Sequence, residues 1–303
     1  MKTIIIGDIH GRDNWKQIVE QEQDAHQIVF LGDYFDSFDI KGVEQLHNFN
    51  EIIKFKQDTN QDVRLLFGNH DYHYMPGFIG IGYSGYQPAM AYQFREAISQ
   101  NILHFQMCYM FDDVVCSHAG ISYIWLKEVF GLENDESEHN WSVDRMGDVC
   151  DLINGYFQYK PQIFEFFGTN PYGDDVYQTP IWIRPQALMA GNRDTFLKEE
   201  YIQVVGHTHV KKIDIEGKST GGRYYFIDTF DTSNKFLVYE NGEFKVGDYV
   251  TYDDRNYPKN YNIKNTNNEV KVEYQPGFQT RIELKYLFTK KQNSLSQEKS
   301  ISH

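Results

Sequence analysis

The sequence predicts a layered α/β fold, and two observations carry the prediction. Over residues 1–70, apolar runs of strand length alternate with amphipathic stretches of helix length, giving β-α-β-α-β. Five apolar runs along the chain also end on short clusters of Gly with Asp, Asn or His, the kind of polar ending that sits at the edge of a sheet and not inside it. Such alternation is the pattern of a sheet with helices packed against it.

Taken in order, residues 3–9 (TIIIGDI) read as a buried strand whose glycine lets the backbone turn sharply at its end. Residues 13–23 are an amphipathic helix, 27–33 (QIVFLGD) a strand, 42–57 a second helix and 63–69 (VRLLFGN) a strand. From Tyr72 to Pro88 the periodicity breaks into a Gly- and Tyr-rich stretch that reads as a long loop bordering a cleft. A helix follows at 89–102, with Pro88 placed near its start, and VVCSHAG at 114–120 is another buried strand. Residues 122–198 mix helix-like pieces (125–132 and 148–159) with an irregular 168–185, and read as an insertion or cap within a catalytic domain of residues 1–252. YIQVVGHTH (201–209) is a strand, and 223–230 and 235–244 read as antiparallel strands, the second turning at Asn241-Gly242. Residues 253–288 form a C-terminal extension with alternating segments at 269–274 and 281–288 that suit edge strands. Residues 289–303, poor in apolar side chains, are expected to be disordered.

Composition narrows the function classes. A formal net charge of −14 and a pI near 5.2 argue against a protein that grips nucleic acid through clustered Lys and Arg. Bound cations can still give an acidic protein an anionic substrate. Cys108, Cys116 and Cys150 form no CxxC pair, so neither a disulfide framework nor a zinc ribbon is indicated. With no signal-peptide pattern and no run long enough to span a bilayer, the expected location is the cytoplasm.

The five polar endings are GDIHG (Asp8, His10), GDYFDS (Asp33, Asp36), GNHD (Asn69, His70, Asp71), SHAG (His118) and GHTH (His207, His209). Taken singly, each has an ordinary reading: a Gly-Asp turn, an Asp helix cap or a satisfied core histidine. Together they supply imidazole, carboxylate and amide oxygen, the mixed donor set of a binuclear metal site. Two ions roughly 3.5 to 4 Å apart share a hydroxide and clamp both oxygens of an in-line displacement, which makes phosphoester hydrolysis the natural use.

The order GD-x-H-G, GD-x-x-D, GNHD, SHAG, GH-x-H resembles the calcineurin-like metallophosphoesterase superfamily, and within it the phosphoprotein phosphatase branch with its serine/threonine phosphatase-like and diadenosine tetraphosphatase-like members. The resemblance covers residues 3–240 and implies a four-layer αββα sandwich with two mixed β-sheets and the metals at one end. It implies that Asp8 and His10 hold a first ion, that Asp33 bridges, that Asn69, His118 and His207 hold a second, and that His209 returns to the first. His70 would be the general acid, oriented by Asp36. The expected cofactors are two divalent ions, Mn with Fe, Zn or Ni as alternatives. The expected substrate is a phosphorylated protein or a small-molecule phosphate, cleaved as a phosphomonoester or phosphoanhydride by metal-bound hydroxide. A phosphodiesterase or nuclease and a non-catalytic scaffold are the alternatives. One departure stands out: the branch follows its second motif with an Arg that grips phosphate, and here Ser37 follows Asp36. Arg184 is the candidate replacement and Arg12 the second choice, because planar bidentate phosphate recognition calls for an Arg.

Overall fold

The computed structural model describes residues 1–249 apart from 79–81, 132–145, 167–173, 194, 196, 198–199, 218–219, 230–232 and 234, and the backbone of 261–266 and 269–274. Strands β1 (Lys2–Ile6), β2 (Gln27–Phe30) and β3 (Asp62–Leu66) run parallel with β4 (Phe105–Gln106) at one side. On the other side of β1 lies the antiparallel hairpin of β9 (Lys235–Glu240) and β10 (Glu243–Asp248), completing a six-stranded mixed sheet. A second mixed sheet has the order β5 (Cys108–Phe111), β6 (Val114–Ser117), β7 (Ile202–Val205), β8 (Tyr224–Phe226), with only β5 antiparallel.

Alternation within the strands explains why the sheets stack. Ile5, Val29, Leu31 and Leu66 of the first sheet meet Val114, Cys116, Val204 and Ile227 of the second in one apolar layer. The neighbours Ile4, Ile6, Ile28, Phe30 and Leu65 point the other way, into the layer of helices α1 (Trp15–Gln21), α2 (Gly42–Asp58) and α4 (Ala91–Asn101). With both faces buried, these strands need apolar residues at every position and not only at alternate ones. On the far side of the second sheet lie α5 (Tyr123–Phe130), α6 (Met146–Tyr159) and α7 (Pro185–Gly191). Cys108 and Val115 share a cluster with α5 and α6, while Ala187 and Leu188 of α7 pack with Tyr224. This is the αββα sandwich, with two mixed sheets and, among the described residues, seven α-helices, one of them the short α3 (Asn69–Tyr72).

Asn241 and Gly242 turn the β9–β10 hairpin with φ of 54° and 84°, the two positive values of a type I′ turn. The segments 223–230 and 235–244, expected to be antiparallel strands, do not pair with each other: β8 joins β7 in parallel, whereas β9 crosses to β1 in the other sheet. A separate unit, Thr251–His303, contains a hairpin of β11 (Tyr261–Thr266) and β12 (Glu269–Tyr274). The strand expected at 281–288 and the tail 289–303 lie outside the described residues.

An aromatic cluster fastens α4 to the loop carrying Asp36. Phe94 stacks on Phe35 with centroids 4.1 Å apart and meets Tyr74 edge-on at 5.0 Å. Phe94→Ala is expected to cost about 3–5 kcal/mol of stability, read as a lowered denaturation midpoint at constant slope.

Candidate metal centre

The parallel strands β1, β2, β3, β6 and β7 stop one to three residues short of the motif residues, so Asp8, Asp33, Asn69, His118 and His207 lie in the loops beyond their carboxyl ends. Several of these loops hold unusual backbone. His10, Asp33, Asp36 and His207 adopt φ of 42°, 52°, 67° and 59°, the left-handed region that costs a non-glycine residue about 1–3 kcal/mol. Hydrogen bonds from neighbouring loops fix this geometry. The buried carboxylate of Asp71 accepts from the backbone N–H groups of Asp33 (2.9 Å), Tyr34 (2.7 Å) and Gly68 (3.0 Å). Asp8 accepts from the N–H of His207, with both of its oxygens about equally close at 3.1 and 3.0 Å.

Each of three imidazoles is oriented by a main-chain carbonyl. His10 Nδ1 donates to Phe35 O (2.7 Å), His118 Nδ1 to Leu31 O (2.8 Å) and His207 Nε2 to Trp182 O (3.1 Å). The other ring nitrogen of each then presents its lone pair to further acceptors. His10 Nε2 lies 3.7 Å from Asp33 Oδ2 and His118 Nε2 lies 3.3 Å from the same oxygen. Asn69 Oδ1 is 2.9 Å from both His118 Nε2 and His207 Nδ1. Lone pairs facing lone pairs are repulsive unless a cation lies among them, so the donor set fits divalent metal. Two clusters result, Asp8–His10–Asp33 and Asp33–His118–His207, each with ligand atoms within 4.8 Å of one another, and Asp33 belongs to both.

The electrostatics point the same way. Burial, reinforced by Asp228 and Asp33, pushes Asp8 well above the usual carboxylate range. Burial likewise raises Asp71, with Asp33 adding to it. Burial would raise Asp33 too, but the surrounding His118, His70 and His10 drive it well below. Burial lowers His10 and, with Arg184 and His118, lowers His207 strongly, favouring the neutral, metal-ligating forms.

His70 sits beside these clusters. Its backbone N–H donates to Asp33 Oδ1 (2.8 Å) and its Nδ1 lies 3.0 Å from Asp36 Oδ2. His209, by contrast, is exposed and belongs to neither metal cluster. Arg184 precedes α7, and its Nη1 donates to His207 O (3.2 Å) and Thr208 Oγ1 (3.1 Å). It lines an open cavity of about 460 Å³ with Asp174, Pro185, Gln186 and Thr208. Arg12 approaches from the opposite motif: Nη1 donates to His10 O (3.4 Å) and Nη2 to Asp39 (3.2 Å), whose Oδ1 also accepts from Ser37 Oγ at 2.5 Å. The two arginines therefore touch the carbonyls of two different candidate ligands. Sequence reasoning assigned no role to Asp71, His73, Tyr74 or Asp228. Only Asp71, inside GNHD, carried a local signal.

The sequence model of the calcineurin-like phosphoesterase family matches residues 1–211. No curated protein matches the chain. Among solved structures, a mutant cold-active protein tyrosine phosphatase is 19% identical with a TM-score of 0.54, over 82% of this chain and 78% of that one. The cold-active protein-tyrosine phosphatase of a psychrophilic Shewanella species is 20% identical with a TM-score of 0.51, over the same 82% and 78%. A protein serine/threonine phosphatase from Saccharomyces cerevisiae is 12% identical with a TM-score of 0.47, over 84% and 82%. The first two likenesses bear on the fold.

Glycine at 68 is required by space. A Cβ there would lie 2.1 Å from Asp33 Oδ1 and 2.6 Å from Asp33 N. Gly68→Ala is expected to displace Asp33 and weaken Mn²⁺ binding about 10- to 100-fold in calorimetric titration, with the far-ultraviolet circular dichroism unchanged.

Proposed function

The chain belongs to the calcineurin-like phosphoesterase family, and from that membership we propose that the clusters sharing Asp33 hold two divalent ions and that the protein hydrolyses phosphomonoesters or phosphoanhydrides. The observation that carries this reading is the convergence of three carbonyl-oriented imidazoles on the oxygens of Asp33 and Asn69. In this reading Asp8, His10 and Asp33 hold one ion, and Asp33, Asn69, His118 and His207 the other. His209 enters as the remaining ligand of the first. Bound divalent ions supply a water acidified toward neutrality and positive charge for the phosphoryl oxygens.

The chain's own groups do the rest. Asp36 holds His70 Nδ1, leaving Nε2 to protonate the departing oxygen. Burial works against the charged ring, but Asp33 and Asp36 outweigh it and raise His70 above the usual imidazole range, which suits an acid. Arg184, beside His207, takes the phosphate-clamping role that Ser37 cannot fill, with Arg12 as the second candidate. The tyrosine and serine/threonine phosphatases among the structural neighbours make phosphopeptides the first substrates to test, with nucleotide-type phosphates beside them. Manganese is the expected metal, and three free, buried cysteines suit a reducing cytoplasm. Among the described residues, no helix is long and apolar enough to cross a membrane.

Metal analysis after reconstitution with excess Mn²⁺ is expected to find two ions per chain, with hydrolysis abolished by chelation. Asp33→Asn is expected to weaken both sites together. A stoichiometry of one or none in the wild type overturns the binuclear reading, and a stoichiometry of two in His209→Ala with unchanged affinity removes His209 from the ligand set.

Arg184→Ala is expected to weaken inhibition by inorganic phosphate about tenfold or more, the loss of one charge-assisted pair, at unchanged metal content. Unchanged phosphate inhibition in Arg184→Ala, with a loss in Arg12→Ala, transfers the clamp to Arg12.

A further inference from the structure

His73 and Tyr74 complete a polar array around Asp36. The Asp36 side chain is fully buried, and both of its oxygens are engaged. Oδ2 faces His70 Nδ1 at 3.0 Å and His73 Nε2 at 2.6 Å, while Oδ1 accepts from Tyr74 Oη at 2.6 Å. The buried His73 ring is oriented from its far side, where Nδ1 accepts the backbone N–H of Tyr83 at 3.1 Å. Nε2 therefore carries the proton and lies against Asp36 Oδ2 as a close polar contact that is not aligned as a hydrogen bond. The Tyr74 hydroxyl, having given its proton to Asp36, accepts the backbone N–H of Gln87 at 2.8 Å. Asp36, His70 and His73 thus form a cluster of potential metal ligands in which each oxygen of Asp36 already has a polar neighbour.

Each link leads from Asp36 to the Tyr-rich segment after residue 80. The His73 ring stacks on Tyr83 (5.4 Å between centroids, 16° between planes) and meets Tyr86 edge-on at 5.0 Å, and Tyr74 stacks on Tyr86 at 5.2 Å. Tyr83 reaches across to Trp182, whose carbonyl orients His207. The backbone at 83 and 87 is therefore joined through two side chains to the carboxylate that orients His70.

We propose that His73 and Tyr74 are positioning residues for the acid step: they fix the Asp36 carboxylate so that it holds His70 facing the leaving oxygen, and they make that geometry depend on the seating of residues 83–87. The proposal rests on the general-acid reading of His70. A proton matters most when the leaving oxygen is a basic alkoxide and least when it is a nitrophenolate. Removing either side chain frees the Asp36 carboxylate to rotate and misaligns the proton without touching the metal ligands.

The test measures kcat/KM for a phosphoserine peptide and for p-nitrophenyl phosphate in His73→Ala, His73→Gln, Tyr74→Phe and His70→Asn, with metal content determined in each. The expected result is that His73→Ala and Tyr74→Phe lower the ratio of peptide to aryl activity about tenfold or more, through kcat, at two ions per chain. His73→Gln, whose amide places an N–H near the position of Nε2, is expected to restore the ratio. Equal losses on both substrates in His73→Ala and Tyr74→Phe, alongside a selective loss in His70→Asn, overturn the positioning role alone. Equal losses in His70→Asn overturn the acid reading and the positioning role with it. If His73→Ala fails to fold, Tyr74→Phe, which removes one oxygen only, decides the matter on the same ratio.

Discussion

The site depends on one buried carboxylate whose partners are main-chain amides. Asp71 gathers the amides of Asp33, Tyr34 and Gly68 and so ties the loop after β2 to the loop after β3. That tie, with the amides of His10 and His70, holds Asp33 in the left-handed backbone conformation that turns its side chain toward His10 and His118. A carboxylate taking several N–H donors is among the stronger local constraints available, because each bond is charge-assisted. Its own burial is costly, and in a cluster with Asp8, Asp33 and Asp228 the cost makes positive charge welcome nearby.

Neutral imidazoles and buried carboxylates cannot balance one another, so the clusters are unfavourable as they stand and favourable around cations. The same logic explains why three histidines are aimed by carbonyls and none by a carboxylate alone: a carbonyl fixes the tautomer without drawing the ring toward the charged form. His70 is treated differently. It is held by Asp36, which supports the charged ring, so the acid and ligand roles proposed for His70 and Asn69 would be separated by their partners although the two are neighbours in sequence.

Much of this was legible beforehand. Buried parallel strands announce themselves by continuous apolar runs, and a polar cluster after each run marks the sheet edge, so Asp8, Asp33, Asn69, His118 and His207 could be read as one group. What could not be read depended on distant partners. Nothing local distinguishes His73 or Tyr74 from the other aromatic residues of a Tyr-rich loop until Asp36, 38 residues before Tyr74, is folded against them. The pairing of β8 and β9 failed for a similar reason, since adjacency in sequence favours a hairpin while burial sends each strand to a different sheet. The place of His209 beyond the strand end was not legible either, since φ of 59° at His207 takes the chain out of the extended conformation.

The bond between Asp8 and the amide of His207 joins residues 199 positions apart, almost the two ends of the sandwich. Closing a loop of that length costs about 5 kcal/mol in chain entropy, and the ligands on either side come from different sheets. The centre therefore cannot assemble on a partly made chain, nor on either sheet by itself. Its completion requires that the two sheets have docked. In the proposed reading an ion held there would join the two layers, and metal-loaded protein would then be expected to unfold more slowly than the empty form.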